Sequence, residues 1–398
     1  MARILVATMA FDAARGGGSV RFAYDLATGL AQRGHQLTVV CEDLFGRGGE
    51  REAGNGITIL RYQLSKSGGL SFRRHQEHIR AVKSLVTKYL PDPPDVVHGH
   101  QLLQYAAVLD LFQKRSRCCY TIHSPALDEL RITWGAQGLR GKLKSLFGLS
   151  IIQKLEASLL LRSSGLTAVS SYTSGLIAHH YGDAIAQKIQ VIPGWADTAR
   201  FEILGKDQIG AARQQLGWPL DVPVFFVLRR LEARMGLDNL LQALIMVKKR
   251  GFNLHTVIGG SGSMQANLTK LRDALGLQDE VNFMGFVPAA QLPLAYGACD
   301  ASIIPTAQLE CFGIIALEAL ACGRPTLVTP VGALPEVMRN FEPGWIASDA
   351  TPEGIADLLV AFLQNRLPTH PPQELHNMIE RKYSCGQALM AYERFLMG

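Results

Sequence analysis

Between Ala301 and Thr329 the chain spells out one strand, one loop, one helix and a second strand, and few folds accommodate that order. Ala301 to Ile304 is an apolar run stopped by Pro305, which reads as a buried strand and its end. A polar loop follows, carrying one carboxylate, Glu310. Ile314 to Ala321 reads as a buried helix, closed by Gly323 just past its end with Pro325 beyond. Thr326 to Thr329 reads as the next strand. A helix joining two strands makes a βαβ unit, so the fold class is α/β and the loop lies at the carboxyl edge of a parallel sheet.

The residues of that loop narrow what it can hold. Glu310 precedes the helix and Glu318 lies inside it, with seven residues between them. Phe312, Gly313 and Ile314 fall at the helix start, where unpaired N–H groups and the macrodipole attract phosphate. Gly313 has no side chain to hold a ligand off the backbone. A carboxylate suits sugar hydroxyls rather than phosphate, because it only accepts hydrogen bonds. Acids on both flanks of a phosphate-binding tip suggest a sugar nucleotide. The same residues also fit a plainer pattern, with Glu310 as a cap and Glu318 on a wet helix face.

At 398 residues the chain is long enough for two domains. With 47% hydrophobic and 19% charged residues it is a compact globular chain rather than a disordered one. Its seven cysteines are odd in number and lack metal-ligand spacing, which favours a reducing cytosol. Met1 to Ala10 reads as a first strand, being too short for a signal peptide. No stretch approaches the roughly 20 apolar residues that span a bilayer. The net charge of +6 divides into +9 over residues 1–195 and −3 over the remainder, so the halves are expected to meet different partners.

In chain order, Arg3 to Met9 is the first strand. Gly16, Gly17 and Gly18 then lead into a helix from Ser19 to Arg33. Arg21 stands where a dinucleotide fingerprint needs its third glycine, and no G-K-[ST] follows. Leu37–Cys41 and Ile57–Tyr62 are strands, and Phe72–Leu90 is a basic amphipathic helix. His98 and His100 close a strand; a third metal ligand is not evident, so a polar pair at a strand end is the better reading. Arg117–Ile122 ends in His123, at a carboxyl edge where ligands gather. From Arg131 to Arg162 cationic and apolar residues mix, which fits either an anionic membrane surface or an ordinary helix with long basic side chains. In the second half Val222 to Leu228 is a strand, followed by R-R-L-E-A-R-M-G. Arg230 and Arg234 on this strand-end loop could grip a diphosphate bidentately. Gly259 and Gly260 follow a further strand and let backbone approach a ligand.

The stretch E-C-F-G-I-I-A-L-E-A-L-A-C-G-R-P resembles the E-x-F-G-x-x-x-x-E signature of the retaining GT-B glycosyltransferases, most closely glycosyltransferase family 4. P-G-W-A-D-T-A-R-F at Pro193–Phe201 resembles the family's I-P-N-G-V-D-x-x-x-F hinge, with Gly194 and Trp195 replacing Asn and Gly. R-R-L-E-A-R-M-G resembles G-R-L-x-x-x-K-G, with Met235 at the usual Lys and Arg234 carrying the charge. The resemblance implies two Rossmann-like domains facing each other across a cleft: an acceptor domain at 1–195, a nucleotide-sugar domain at 196–378, and a final helix, within 379–398, crossing back to the first domain. It places Gly17 and Gly18 by the donor phosphates, His123 by the acceptor and donor sugar, and Val287 near the nucleobase.

The function implied is transfer of a sugar, with retention, from a nucleoside-diphosphate sugar to a hydroxyl acceptor: a glycolipid or other lipid-linked group, a polysaccharide or a small glycoside. Arg230, Arg234 and the backbone of Phe312, Gly313, Ile314 and Ile315 would stabilise the leaving diphosphate, each preorganised donor contributing roughly 3 kcal/mol. Glu310 would hold the donor sugar and Glu318 the ribose. No D-x-D pair sits where a divalent metal would hold phosphates, so no metal and no cofactor are expected. Nucleic acid is not an expected partner, and the location expected is cytoplasmic, with the inner face of the cell membrane as an option. A sugar-nucleotide 2-epimerase and a silent sugar-nucleotide-binding protein are the alternative readings.

Overall fold

The computed structural model describes residues 1–12, 17–64, 72–135 and 138–398, without the side chains of 72–75, 138–140 and 142–147. The chain divides into two compact units. One comprises Met1–Pro193 with Ala388–Gly398, the other Gly194–Gln387.

The first unit is built on eight strands: β1 (Arg3–Ala7), β2 (Gln36–Glu42), β3 (Arg51–Gly54), β4 (Ile57–Tyr62), β5 (Val96–Gly99), β6 (Arg117–Ile122), β7 (Gly165–Ala168) and β8 (Ile189–Val191). They lie in the order β3-β4-β2-β1-β5-β6-β7-β8. All pairs are parallel except β3–β4. Only the first residue of β1 is exposed, and burying an Ile or Leu there contributes about 1.5–3 kcal/mol. Cys41, Cys118 and Cys119 are small core fillers, and all seven cysteines are free thiols.

The second unit carries β9 (Val224–Leu228), β10 (His255–Gly259), β11 (Val281–Gly285), β12 (Ala301–Ile304) and β13 (Thr326–Val328), in the order β11-β10-β9-β12-β13 and parallel throughout. Both sheets reverse their winding beside their first strand. The switch points therefore fall between β1 and β5 and between β9 and β12, and ligands of open α/β sheets bind outside such points.

The expected strand at 301–304 and helix at 314–321 are found with those bounds. Three expectations shift. The Gly-loop helix runs Gly18–Gln32. The sequence reading lacks β3, whose four residues are all exposed; the Asn55-Gly56 turn behind it, with both φ positive, is the hairpin signal that marks it. The stretch 379–398 is not one helix: one helix ends at Tyr383 and the next spans Cys385–Met397, with Ser384 extended between them. That final helix packs within the first unit, where Glu393 pairs with Arg33 at 2.6 Å and His35 at 2.9 Å.

Much of the basic, apolar stretch read as a membrane surface, notably Leu139, Arg140, Lys142, Leu143, Lys144, Leu146 and Phe147, lies outside the described side chains. Among the described residues no helix is long and apolar enough to cross a membrane.

Candidate functional site

In the second unit the loop from Pro305 to Gly313 leaves the carboxyl end of β12, beside the chain leaving β9. Arg229 is the first residue past β9. Its amide donates to Gly259 O at 2.9 Å, and Leu231 N donates to Ser261 O at 3.0 Å, so the two strand-end loops run on together. Gly260 makes this possible: it sits at φ +130°, and a Cβ there would lie 1.8 Å from Arg229 O. The sequence reading's Gly260 is therefore fixed by packing, whatever it does for a ligand.

The Arg229 guanidinium turns into the second loop. Its Nη2 donates to Glu310 Oε2 at 2.5 Å and to Thr306 Oγ1. Thr306 Oγ1 also donates to Glu310 Oε2, at 3.2 Å. The side chains of Arg229 and Glu310 are only 7% and 14% exposed. Buried charges stay in place only when paired and hydrogen-bonded, and this pair is both. Thr306 is itself held, because Thr329 Oγ1 donates to its carbonyl at 2.6 Å.

Arg234 clamps the same loop. Its Nη1 donates to Leu309 O at 2.6 Å, and its carbonyl accepts from Ala307 N and Gln308 N at 3.0 and 3.1 Å. Leu309 sits at φ +52°, a costly conformation for a branched residue that surrounding bonds must enforce. Glu310 O accepts from Ala333 N at 2.8 Å. Arg230, by contrast, is exposed. Glu232 lies between the two arginines in sequence. Burial works to raise its pKa, yet the Ser263 hydroxyl and amide, with the charges of Arg230 and Arg234, hold it below its ordinary value.

Gly313 at φ +88° caps the Ile314–Ala321 helix without any side-chain hydrogen bond. The first amides of a helix have no intrahelical acceptor, so the tip presents donors beside Glu310. Phe312 is buried, and Ile314 and Ile315 are half-buried. Glu318 lies one turn further in, half-buried, beside Tyr296. Burial first, and then the Glu318 charge, push the Tyr296 hydroxyl well above its ordinary pKa. Val287 is buried and packs over Gly259, where a Cβ would approach its Cγ2 to 2.6 Å.

The remaining predicted residues belong to the first unit. Gly17 caps the Gly18–Gln32 helix, again without a side-chain bond. His123 follows β6, and its Nε2 lies 2.9 Å from His100 Nδ1. His98 Nε2 lies 2.8 Å from Thr121 Oγ1, so each histidine of the H-G-H turn has one ring nitrogen partnered, while His98 Nδ1 and His100 Nε2 are buried without a partner among the described residues. Burial pushes His98 and His123 down to about 3, with the His123 charge adding to the effect on His98, and His100 well below its usual range. Among the described residues no group of three or more His, Cys, Asp or Glu is placed to hold a metal ion.

The structure thus gathers Arg234, Glu310, Phe312, Gly313, Ile314, Ile315 and Gly260 around two adjoining loops, with Glu318 one turn away. Sequence reasoning missed Arg229, Thr306 and Tyr296. The doubled arginine after β9 was the available signal for the first of these, since neighbouring residues on an extended chain face opposite ways.

Comparison with known proteins gives a consistent picture. Residues 16–200 match the family described as Glycosyltransferase Family 4, and residues 208–384 match Glycosyl transferases group 1. The chain is 32% identical over 214 residues to the D-inositol 3-phosphate glycosyltransferase of Segniliparus rotundus, covering 52% of this chain and 46% of that one. It spans about half the length of the curated relatives it matches. Among solved structures, sucrose-phosphate synthase from Thermosynechococcus elongatus superposes with a TM-score of 0.82 at 18% identity, over 98% of this chain and 97% of that one. HepE of Anabaena, in complex with UDP and glucose, superposes with a TM-score of 0.75 at 17% identity, over 100% and 99%. At these identities the likeness is one of fold.

Proposed function

The chain belongs to glycosyltransferase family 4 and has its GT-B fold, and from that premise we propose that it moves a sugar from a nucleoside-diphosphate sugar to a hydroxyl acceptor. The supporting observation is the loop from Thr306 to Gly313. Arg234 clamps it, Arg229 pairs with its carboxylate, and it ends in an uncapped helix tip at a switch point.

Cleaving a sugar–phosphate bond leaves added negative charge on the diphosphate. Arg230 and Arg234, with the amides of Phe312 to Ile315, supply fixed positive ends where that charge develops. Preorganised donors of this kind each account for roughly 3 kcal/mol of transition-state stabilisation. Glu310 takes hydroxyls of the donor sugar and Glu318 takes the ribose. His123, kept neutral by burial, offers a hydrogen bond to sugar without competing for the phosphates. Gly17 and Gly18 leave room for backbone to approach the donor, and Val287 borders the base. Retention follows from same-face attack, with the leaving phosphate accepting the acceptor's proton. The cations of the chain take the place of a metal in this reading.

A melting screen with UDP, GDP, ADP and TDP tests the premise. At 100 times Kd a bound product stabilises the folded state by about 2.7 kcal/mol, so one of the four should raise the melting temperature by several degrees. No rise at millimolar nucleotide would overturn the assignment. With the donor in hand, Arg230→Ala should lower transfer by about 10²–10³-fold. Because Arg230 is exposed, the melting temperature should hold. Near-normal transfer would remove Arg230 from the mechanism.

A further inference from the structure

We propose that Arg229 is the positioning residue for the sugar-holding carboxylate, fixing which oxygen of Glu310 meets the donor sugar; this rests on the transferase reading above. Glu310 has two oxygens and they are treated differently. Oε2 accepts from both Arg229 Nη2 and Thr306 Oγ1. Oε1 accepts no hydrogen bond from the described residues. The carboxylate cannot rotate without breaking two bonds, one of them to a charged donor in a largely buried place. A single lone-pair edge is thereby presented, in one direction.

Charge gives a second reason. A carboxylate next to a diphosphate repels it, and the repulsion grows in a low-dielectric site. Arg229 cancels that charge from the buried side, so a hydroxyl-binding acid can stand beside an anionic leaving group. Arg229 itself is held by backbone: its amide bonds Gly259 O and its carbonyl lies against Gly260. Its Nε is buried and without a partner among the described residues, which leaves the ion pair as the guanidinium's main tie.

The test uses sugar discrimination, which loss of fold alone would not move. The wild type is offered UDP-glucose, GDP-mannose and ADP-glucose, and then monodeoxy analogues of the donor it turns over. Losing the hydroxyl that Glu310 Oε1 holds should lower kcat/KM by roughly tenfold or more, since a bond to a charged acceptor is broken. In Arg229→Met the natural donor should fall to the level of that analogue, and the analogue's penalty should shrink below about threefold. Affinity for the nucleoside diphosphate should fall by less than turnover of the natural donor does, because Glu310 then repels the phosphates without its counter-charge. Arg229→Lys, which keeps the charge, should restore part of the discrimination.

Arg229→Met leaves a carboxylate unpaired and could fail to fold. The double variant Arg229→Met/Glu310→Gln removes both charges and should keep diphosphate binding while showing the same small penalty. Thr306→Val should show a weaker loss in the same direction. An unchanged deoxy penalty in Arg229→Met or the double variant overturns the proposal, as does an equal loss of diphosphate affinity. A wild type that binds none of the nucleoside diphosphates overturns the transferase reading instead, and this inference with it.

Discussion

The two units place different chemistry at the same point of the same architecture. At the strand ends of the first unit stand three imidazoles and two threonines: His98 with Thr121, His100 with His123, and Thr121 with Thr167 at 2.8 Å. At the strand ends of the second stand Arg229, Arg230, Arg234, Glu232 and Glu310. Burial keeps the three imidazoles neutral, whereas the second set holds a buried ion pair, Arg229 with Glu310, beside an exposed Arg230. The parallel sheet supplies the location, and the side chains decide whether that location carries neutral rings and hydroxyls or charged groups. The charge split along the sequence runs the other way, with the basic excess in the first half, so net charge does not locate the charged site.

The contrast can be broken most severely at Gly260. Gly260→Ala drives a methyl group into Arg229 O, at a φ that L residues rarely adopt. The expected cost exceeds about 4 kcal/mol, in the range reserved for gross steric or strain defects. Three of the four tryptophans, Trp195, Trp218 and Trp345, lie in the second unit. Urea unfolding followed by tryptophan fluorescence should therefore show an early transition. A wild-type midpoint would contradict the packing around Arg229.

An intermediate effect separates the units by pH. His98 and His123 titrate near 3 in the folded chain and near 6.5 when unfolded. Between those values the unfolded state binds the additional protons, so stability is complete above pH 6.5 and falls as pH drops towards 3. Each histidine can cost up to about 1.4 kcal/mol per pH unit in that window. Denaturation of the first unit, followed through its lone Trp134 in a variant with the other tryptophans replaced by Phe, should weaken between pH 7 and 5. His98→Gln, which keeps a partner for Thr121 without a titrating ring, should flatten the slope. A slope identical to wild type would mean that His98 is not one of the groups responsible.

These outcomes bear on how much the sequence discloses. The 301–329 segment is legible because its signals are local: an apolar run, a proline stop and a glycine just past the helix. The Arg229–Glu310 pair is not, because its partners are 81 positions apart and nothing local says which of two adjacent arginines turns inward. The motif points to Arg230; the structure turns Arg229 to the carboxylate and leaves Arg230 exposed. His98 and His100 look alike in sequence, and only the placement of β6 beside β5 gives each its partner. Tyr296 behind Glu318 is hidden for the same reason: helix and sheet packing bring them together, not spacing.

The smallest effect carries a sharp distinction. Gly18 opens the Gly18–Gln32 helix, and a Cβ there, or at Gly17, would meet no atom of the described residues beyond its chain neighbours and its own helix within 4 Å. Neither glycine has a positive φ. Packing and backbone therefore explain Gly260 but not Gly18. Alanine loses less entropy on folding, so Gly18→Ala should leave stability unchanged or raise it by about 0.5–1 kcal/mol. If the space above the helix tip is reserved for the donor, the same methyl group should raise the donor KM several-fold while the melting temperature holds or climbs. A variant with unchanged KM would show that the glycine is not needed for the donor.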